Sequence, residues 1–235
     1  QGDYHGAEPL LREALAGRRE RLGDRHPDTL ESISNLGRLL HEKGDLEGAE
    51  ALAREAVQAK REALGDRHPE TLAALDARAA LLFCSKGDLD GAEPLLREAR
   101  EGSRELGDRC PYTMMSITNL SALLRMKGDL DGAEPLAREA VERCRKAHGD
   151  RHLQTLGTIA NLGSLLEAKG DPDSADTLLR EAVQGLRETL GDRHPHTLCS
   201  ITGFGWLLRE RGDLDGAEPL LREALEGCRE TLSVW

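Results

Sequence analysis

Apolar residues along this chain fall into two alternating helical stripes. Thr29, Ile33, Leu36, Gly37 and Leu40 stand at i, i+4, i+7, i+8 and i+11, and Ala49, Leu52, Ala53, Ala56 and Val57 at i, i+3, i+4, i+7 and i+8. Each set is one face of a 3.6-residue period, so each predicts an amphipathic helix. Between them Lys43-Gly44-Asp45 offers a glycine to stop the first helix and an aspartate to cap the second. The unit is a helical hairpin, made of a helix A and a helix B.

The hairpin recurs. LGDRHPDTL at 22–30 returns as LGDRHPETL, LGDRCPYTM, HGDRHLQTL and LGDRHPHTL, and the glycines Gly23, Gly65, Gly107, Gly149 and Gly191 lie 42 residues apart. A second marker, GDLDGAEPLLREA in its fullest form, begins at Gly2, Gly44, Gly87, Gly128, Gly170 and Gly212. Two strictly alternating markers at a fixed period predict a stacked array in which neighbouring units share one core. In the first marker Gly23 is expected to end a helix in the left-handed conformation, Pro27 to open the next at N1, and Asp28 to sit at the positive end of its dipole.

The fold class expected is all-α: an α-solenoid of stacked antiparallel helix pairs, a right-handed superhelix of about eleven helices. One array spans 1–235, with a half repeat at 1–22 and full repeats at 23–64, 65–106, 107–148, 149–190 and 191–235. The repeat at 65–106 departs from the others, because Pro69 to Gly87 is one residue longer and Gly87 to Gly107 one shorter. A longer A-to-B turn near Phe83-Cys84-Ser85 and a helix B shortened by one residue are expected there. Pro9, Pro94, Pro135 and Pro219 stand about six residues into helix B, where proline normally costs about 3 kcal/mol. Either a kink or an irregular first turn is expected.

Composition narrows the function. Charged residues make up 32%, aromatics 3%, and the net charge is −11, which disfavours binding to phosphate backbones and excludes nucleic acid as the expected partner. No apolar run reaches the roughly 18 residues of a spanning helix, so no membrane insertion is expected. The five cysteines, Cys84, Cys110, Cys144, Cys199 and Cys228, are odd in number and lack CxxC spacing. They point to a cytoplasmic or other reducing intracellular compartment and to no disulfide.

The recurrent His26, His68, His152 and His194 resemble a ligand column, but equivalent points on stacked helices are about 8–10 Å apart and zinc ligands must meet one ion at about 2 Å. Capping and turn packing are the expected roles. No nucleophile elbow, metalloprotease, phosphate-loop or dinucleotide fingerprint occurs, so a non-catalytic protein without cofactor or metal is expected.

The face Ile33, Leu36-Gly37, Leu40, then Ala49, Ala53, Ala56 resembles the tetratricopeptide repeat (TPR) pattern, with small residues where two helices cross. The 42-residue period, H-P-x-T-L opening helix A, N-L-G within it and G-A-E-P-L-x-R-E-A in helix B are similar to the kinesin light chain type of TPR. The resemblance implies a protein–protein interaction scaffold that binds an extended peptide or protein segment in a concave groove lined by helix A. It further implies that Asn35, Asn119 and Asn161 contact the peptide backbone, a ladder broken at Ala77 and Gly203. Arg38, Arg125 and Arg209 share that outward face, and Phe83, Met115 and Trp206 are its candidate apolar contacts. The alternative is a structural subunit docking through its ends or flanks within a larger assembly. The first helix B shows Leu10, Leu11, Ala14 and Leu15 with no helix A before it, and Thr231 to Trp235 ends without the stopping glycine. End-to-end self-association, or docking of an end on another subunit, is therefore expected of the segment as written.

Overall fold

The computed structural model describes residues 4–107 and 111–232, so Cys110 and the terminal Val234-Trp235 lie outside the described residues. The helices are α1 (Tyr4–Leu22), α2 (Pro27–Glu42), α3 (Leu46–Leu64), α4 (Pro69–Ala80), α5 (Leu89–Ser103), α6 (Pro111–Met126), α7 (Leu130–His148), α8 (Leu153–Lys169), α9 (Pro172–Leu190), α10 (Pro195–Glu210) and α11 (Leu214–Leu232). No strand occurs among the described residues. Two compact units result, 1–128 and 129–235. In the first, each helix from α1 to α5 packs on its successor and α4 also touches α6; in the second, α7 to α11 pack in sequence.

The repeated motif is a junction whose every residue has a structural task. His26, His68, His152 and His194 are the N-caps of α2, α4, α8 and α10, each Nδ1 accepting the backbone N–H two residues on at 3.2–3.3 Å. The cap therefore needs the proton on Nε2. Because the histidine does this alone, α8 starts normally although Leu153 replaces the proline. Thr71 and Thr155 donate to the carbonyls of Gly65 and Gly149, each at 2.8 Å, which closes the turn. The aspartate of G-D-R faces the preceding helix B, as in Arg145–Asp150 at 3.3 Å, and its arginine reaches the next one, as in Arg151–Glu188 at 3.0 Å. The junction glycines carry positive φ, but Gly65, Gly149 and Gly191 have ψ of 164, 168 and 163°, beyond the left-handed helical well expected of them. The chain there turns straight into an extended segment, and only glycine occupies that region readily.

The second marker is equally mechanical. Asp45, Asp88, Asp129 and Asp213 cap helix B by accepting from Gly48, Gly91, Gly132 and Gly216 at 2.8–2.9 Å. A Cβ on those glycines would lie 2.3–2.5 Å from the capping carboxylate, which explains the glycine of D-L-x-G. Ser174 stands there in α9, and its bond to Asp171 is longer, 3.2 Å. With these caps the first turn of helix B is regular, so the irregular-turn alternative for the prolines is set aside. Pro94, Pro135 and Pro219 each free the carbonyl four residues earlier, and it belongs in each case to an exposed aspartate, Asp90, Asp131 or Asp215, where solvent can reach it.

Core packing follows the predicted stripes. Ile33, Leu36, Leu40, Ala49 and Ala56 share one cluster in the first unit, and Ile201, Phe204, Leu208, Ala217 and Ala224 share another in the second. Gly163 and Gly205 of helix A sit where a Cβ would come within 2.9 and 2.8 Å of Leu179 and Leu221 on helix B, so the pair can cross closely only there.

The irregular repeat resolves differently from expectation. The extra residue does not lengthen the A-to-B turn; it is absorbed inside the helix, where α4 passes into a π-helical turn, Leu81–Lys86, ending at the left-handed Gly87. A π turn accommodates one residue without breaking the hydrogen-bonded ladder. Helix B is shortened by more than one residue, because α5 stops at Ser103 and a turn carries the chain to Leu106.

Candidate functional site

Helix-A residues outside the packed stripe form a polar face in each unit. In the first unit Asn35 is half-buried and its Oδ1 accepts from Arg38 at 3.4 Å, while Arg38 and Arg125 are exposed with no carboxylate partner among the described residues. Met115 is half-buried beside the core residue Met114. Asn119 is already engaged: its Nδ2 donates to Asp76 Oδ1 at 3.4 Å. In the second unit Asn161 is exposed and has no hydrogen-bond partner among the described residues. Trp206 is 47% exposed, and the Arg209 guanidinium lies 4.5 Å from its ring centroid. That stacking holds a broad aromatic surface in one orientation at low entropic cost.

One face assignment is corrected. Phe83 is buried at 8% exposure in the first unit's core rather than offered to a ligand. The π turn advances the register by one residue, so Cys84, not Phe83, takes the outward place that His41 holds in α2. Asp76 is also inside, at 1% exposure, under the α4–α6 contact. Burial pushes its carboxyl up to about 7 against the opposing Asn119 bond, and its Oδ2 has no partner. Equivalent positions carry hydroxyls instead: Ser34, Thr118 and Thr202 donate back to the carbonyl four residues earlier at 2.7–3.0 Å.

The first unit also holds a cavity of about 510 Å³ between α2, α3 and α4. Its wall is Ala49, Ala53 and Ala56 from α3 and Ala73, Ala77 and Ala80 from α4; where α6 has Met115 and Asn119, α4 has Ala73 and Ala77. Arg38, His41, Lys60, Cys84 and Ser85 reach its edge, and His41 Nε2 and Ser85 Oγ are bonded at 2.8 Å. The alanine spacing is visible in the sequence, and Leu81, Cys84 and Ser85 of the π turn complete the lining.

Several ion pairs join neighbouring repeats. Helix B of one repeat is tied to the next by Lys127–Glu93 at 2.7 Å, Lys169–Glu134 at 2.6 Å, Arg145–Glu181 at 2.7 Å and Arg187–Glu223 at 2.6 Å. Among the described residues no group of three or more His, Cys, Asp or Glu could hold a metal ion, and no helix is long and apolar enough to cross a membrane. Cys84, Cys144, Cys199 and Cys228 form no disulfide.

Helix pairs with small crossing residues, repeated at this period, have a counterpart in sequence. A tetratricopeptide repeat family model matches residues 1–62, 70–146, 112–188 and 155–230. The chain belongs to the tetratricopeptide repeat family. Comparison with curated proteins finds no match. Among solved structures, this TPR chain is similar to a Podosopora anserina putative kinesin light chain of nearly identical TPR-like repeats, at 23% identity and TM-score 0.77 over 88% of this chain and 98% of that one. It is also similar to BtubC (BKLC) from P. vanneervenii, at 22% identity and TM-score 0.81 over 100% of this chain and 94% of that one. Apo RapI aligns at 14% identity and TM-score 0.69 over 98% and 93% of the two chains. These likenesses establish the kinesin light chain-like TPR fold.

Proposed function

We propose that this TPR protein is a non-catalytic interaction scaffold whose helix-A faces bind an extended protein segment. The observation that carries the reading is the contrast in charge pairing. Lys127 and Lys169 at the ends of helix A, and Arg145 and Arg187 of helix B, are tied to glutamates of a neighbouring repeat, whereas Arg38 and Arg125 in the first unit and Arg209 in the second face outward with no carboxylate partner among the described residues. Unpaired guanidinium groups beside a free amide and a stacked indole suit a backbone with carbonyl or carboxylate groups. Asn161 and the Trp206–Arg209 pair are the strongest candidate contacts in the second unit.

Trp206 supplies its own test. In a Trp235→Phe background, binding of a partner segment is expected to shift Trp206 emission, and Asn161→Ala with Trp206→Phe to weaken affinity about tenfold or more. Arg138→Ala, on helix B, is expected to leave affinity unchanged. Equal loss from the helix-B variant would defeat the assignment. A second reading, docking through an end, draws on Leu10 and Leu22 of α1 and Leu214 and Leu225 of α11, exposed at 66, 45, 64 and 52%. Sedimentation that stays strictly monomeric over a wide concentration range would remove it.

A further inference from the structure

We propose that the alanine-walled cavity of the first unit is a binding site for a small amphipathic carboxylate, an aliphatic body with one anionic end. This goes beyond the recognition of protein segments and does not depend on it. The cavity volume of about 510 Å³ falls in the 300–1,000 Å³ range of small-molecule sites, and alanines from two helices give it an apolar interior. The features that would grip a peptide backbone are missing at this place: the amide of the asparagine position is lost at Ala77, and Asn119 is bonded to Asp76. A ligand without a backbone fits better.

Charge at the edge selects the other end of the ligand. No carboxylate is among the lining residues, in a chain of net charge −11. Lys60 is answered by Glu70 at 3.4 Å and His41 by Ser85, which leaves Arg38 as the edge cation without an acidic partner among the described residues. A carboxylate at Arg38, with its chain running between Ala53 and Ala77 towards Cys84, would satisfy both surfaces.

Cys84 makes occupancy measurable, because it is exposed and lines the cavity while Cys199 is exposed in the other unit. Dodecanoate, below its micellar concentration, is the probe. Saturating probe is expected to slow alkylation of Cys84 by iodoacetamide about tenfold and to leave Cys199 unchanged. Ala77→Leu, an exposed helical position, fills the cavity and should abolish protection with helical content intact. Arg38→Gln should weaken dodecanoate by about tenfold, the value of one charge-assisted contact, and leave uncharged dodecanol unaffected. The proposal is overturned if dodecanoate does not change the Cys84 rate, if Ala77→Leu binds as the parent does, or if only an apolar peptide protects the thiol.

Discussion

Replacing Asp76 with threonine stabilises the first unit by about 2–4 kcal/mol more at pH 8 than the same change does at pH 5. Asp76 is 1% exposed with Oδ2 unsatisfied, no cation contributes to its environment, and its carboxyl is raised from 3.8 to about 7. A raised carboxyl binds its proton more tightly in the folded chain than in the unfolded one. Stability is therefore highest below the unfolded value, falls as pH climbs from about 4 to 7, and is lowest above 7, by a linkage on the order of 4 kcal/mol. Threonine removes the charge and regains the back-bond made by Thr118 and Thr202. The opposite limb belongs to the paired glutamates: Glu50 is held at about 2 by bonds from Arg54 and Lys86, so its contribution is lost progressively as pH falls from 4.5 to about 2. Urea denaturation of the parent and the variant at pH 5 and pH 8 measures the difference. Parallel pH profiles for the two proteins would show that Asp76 is solvated or paired.

The second large effect lies at the repeat junction. Gly149→Ala costs about 3 kcal/mol, and Gly170→Asn about 1 kcal/mol or less. Gly149 has φ 86° and ψ 168°, a region essentially reserved for glycine, while Gly170 has φ 85° and ψ 25°, a left-handed well that asparagine tolerates. Neither glycine is crowded, since a Cβ at either meets nothing within 4 Å, so the contrast isolates backbone conformation. Thermal unfolding of the two variants is the measurement, and equal losses would mean that the two turns are conformationally alike.

Much of this architecture was legible because a repeat prints its rules several times. The D-L-x-G spacing, the histidine before the proline and the glycine at the helix crossing each recur, and each has a local cause in a cap, a turn or a close contact. What stayed hidden depended on long-range packing. A single inserted residue can lengthen a turn or enter a helix, and only the neighbouring helices determine that α4 takes the π turn. That turn then moved Phe83 inward and Cys84 outward. Asp76 reads as an outward residue by periodicity, yet the α4–α6 contact closes over it. Likewise Asn119 matches the ladder of Asn35 and Asn161, but its amide is spent on Asp76, which no pattern within one repeat could reveal.

The central claim, that helix A carries recognition and helix B carries the array, is tested most directly by a site-specific photo-crosslinking scan of the full chain. A benzophenone side chain would be placed in turn at Asn35, Asn161 and Trp206 on helix A, and at Arg54, Arg97 and Arg138 on the exposed helix-B side. The account predicts that crosslinks to one partner segment arise from the helix-A positions and are competed by that unlabelled segment. Crosslinks concentrated at Arg54, Arg97 and Arg138, with Asn35, Asn161 and Trp206 silent, would contradict it.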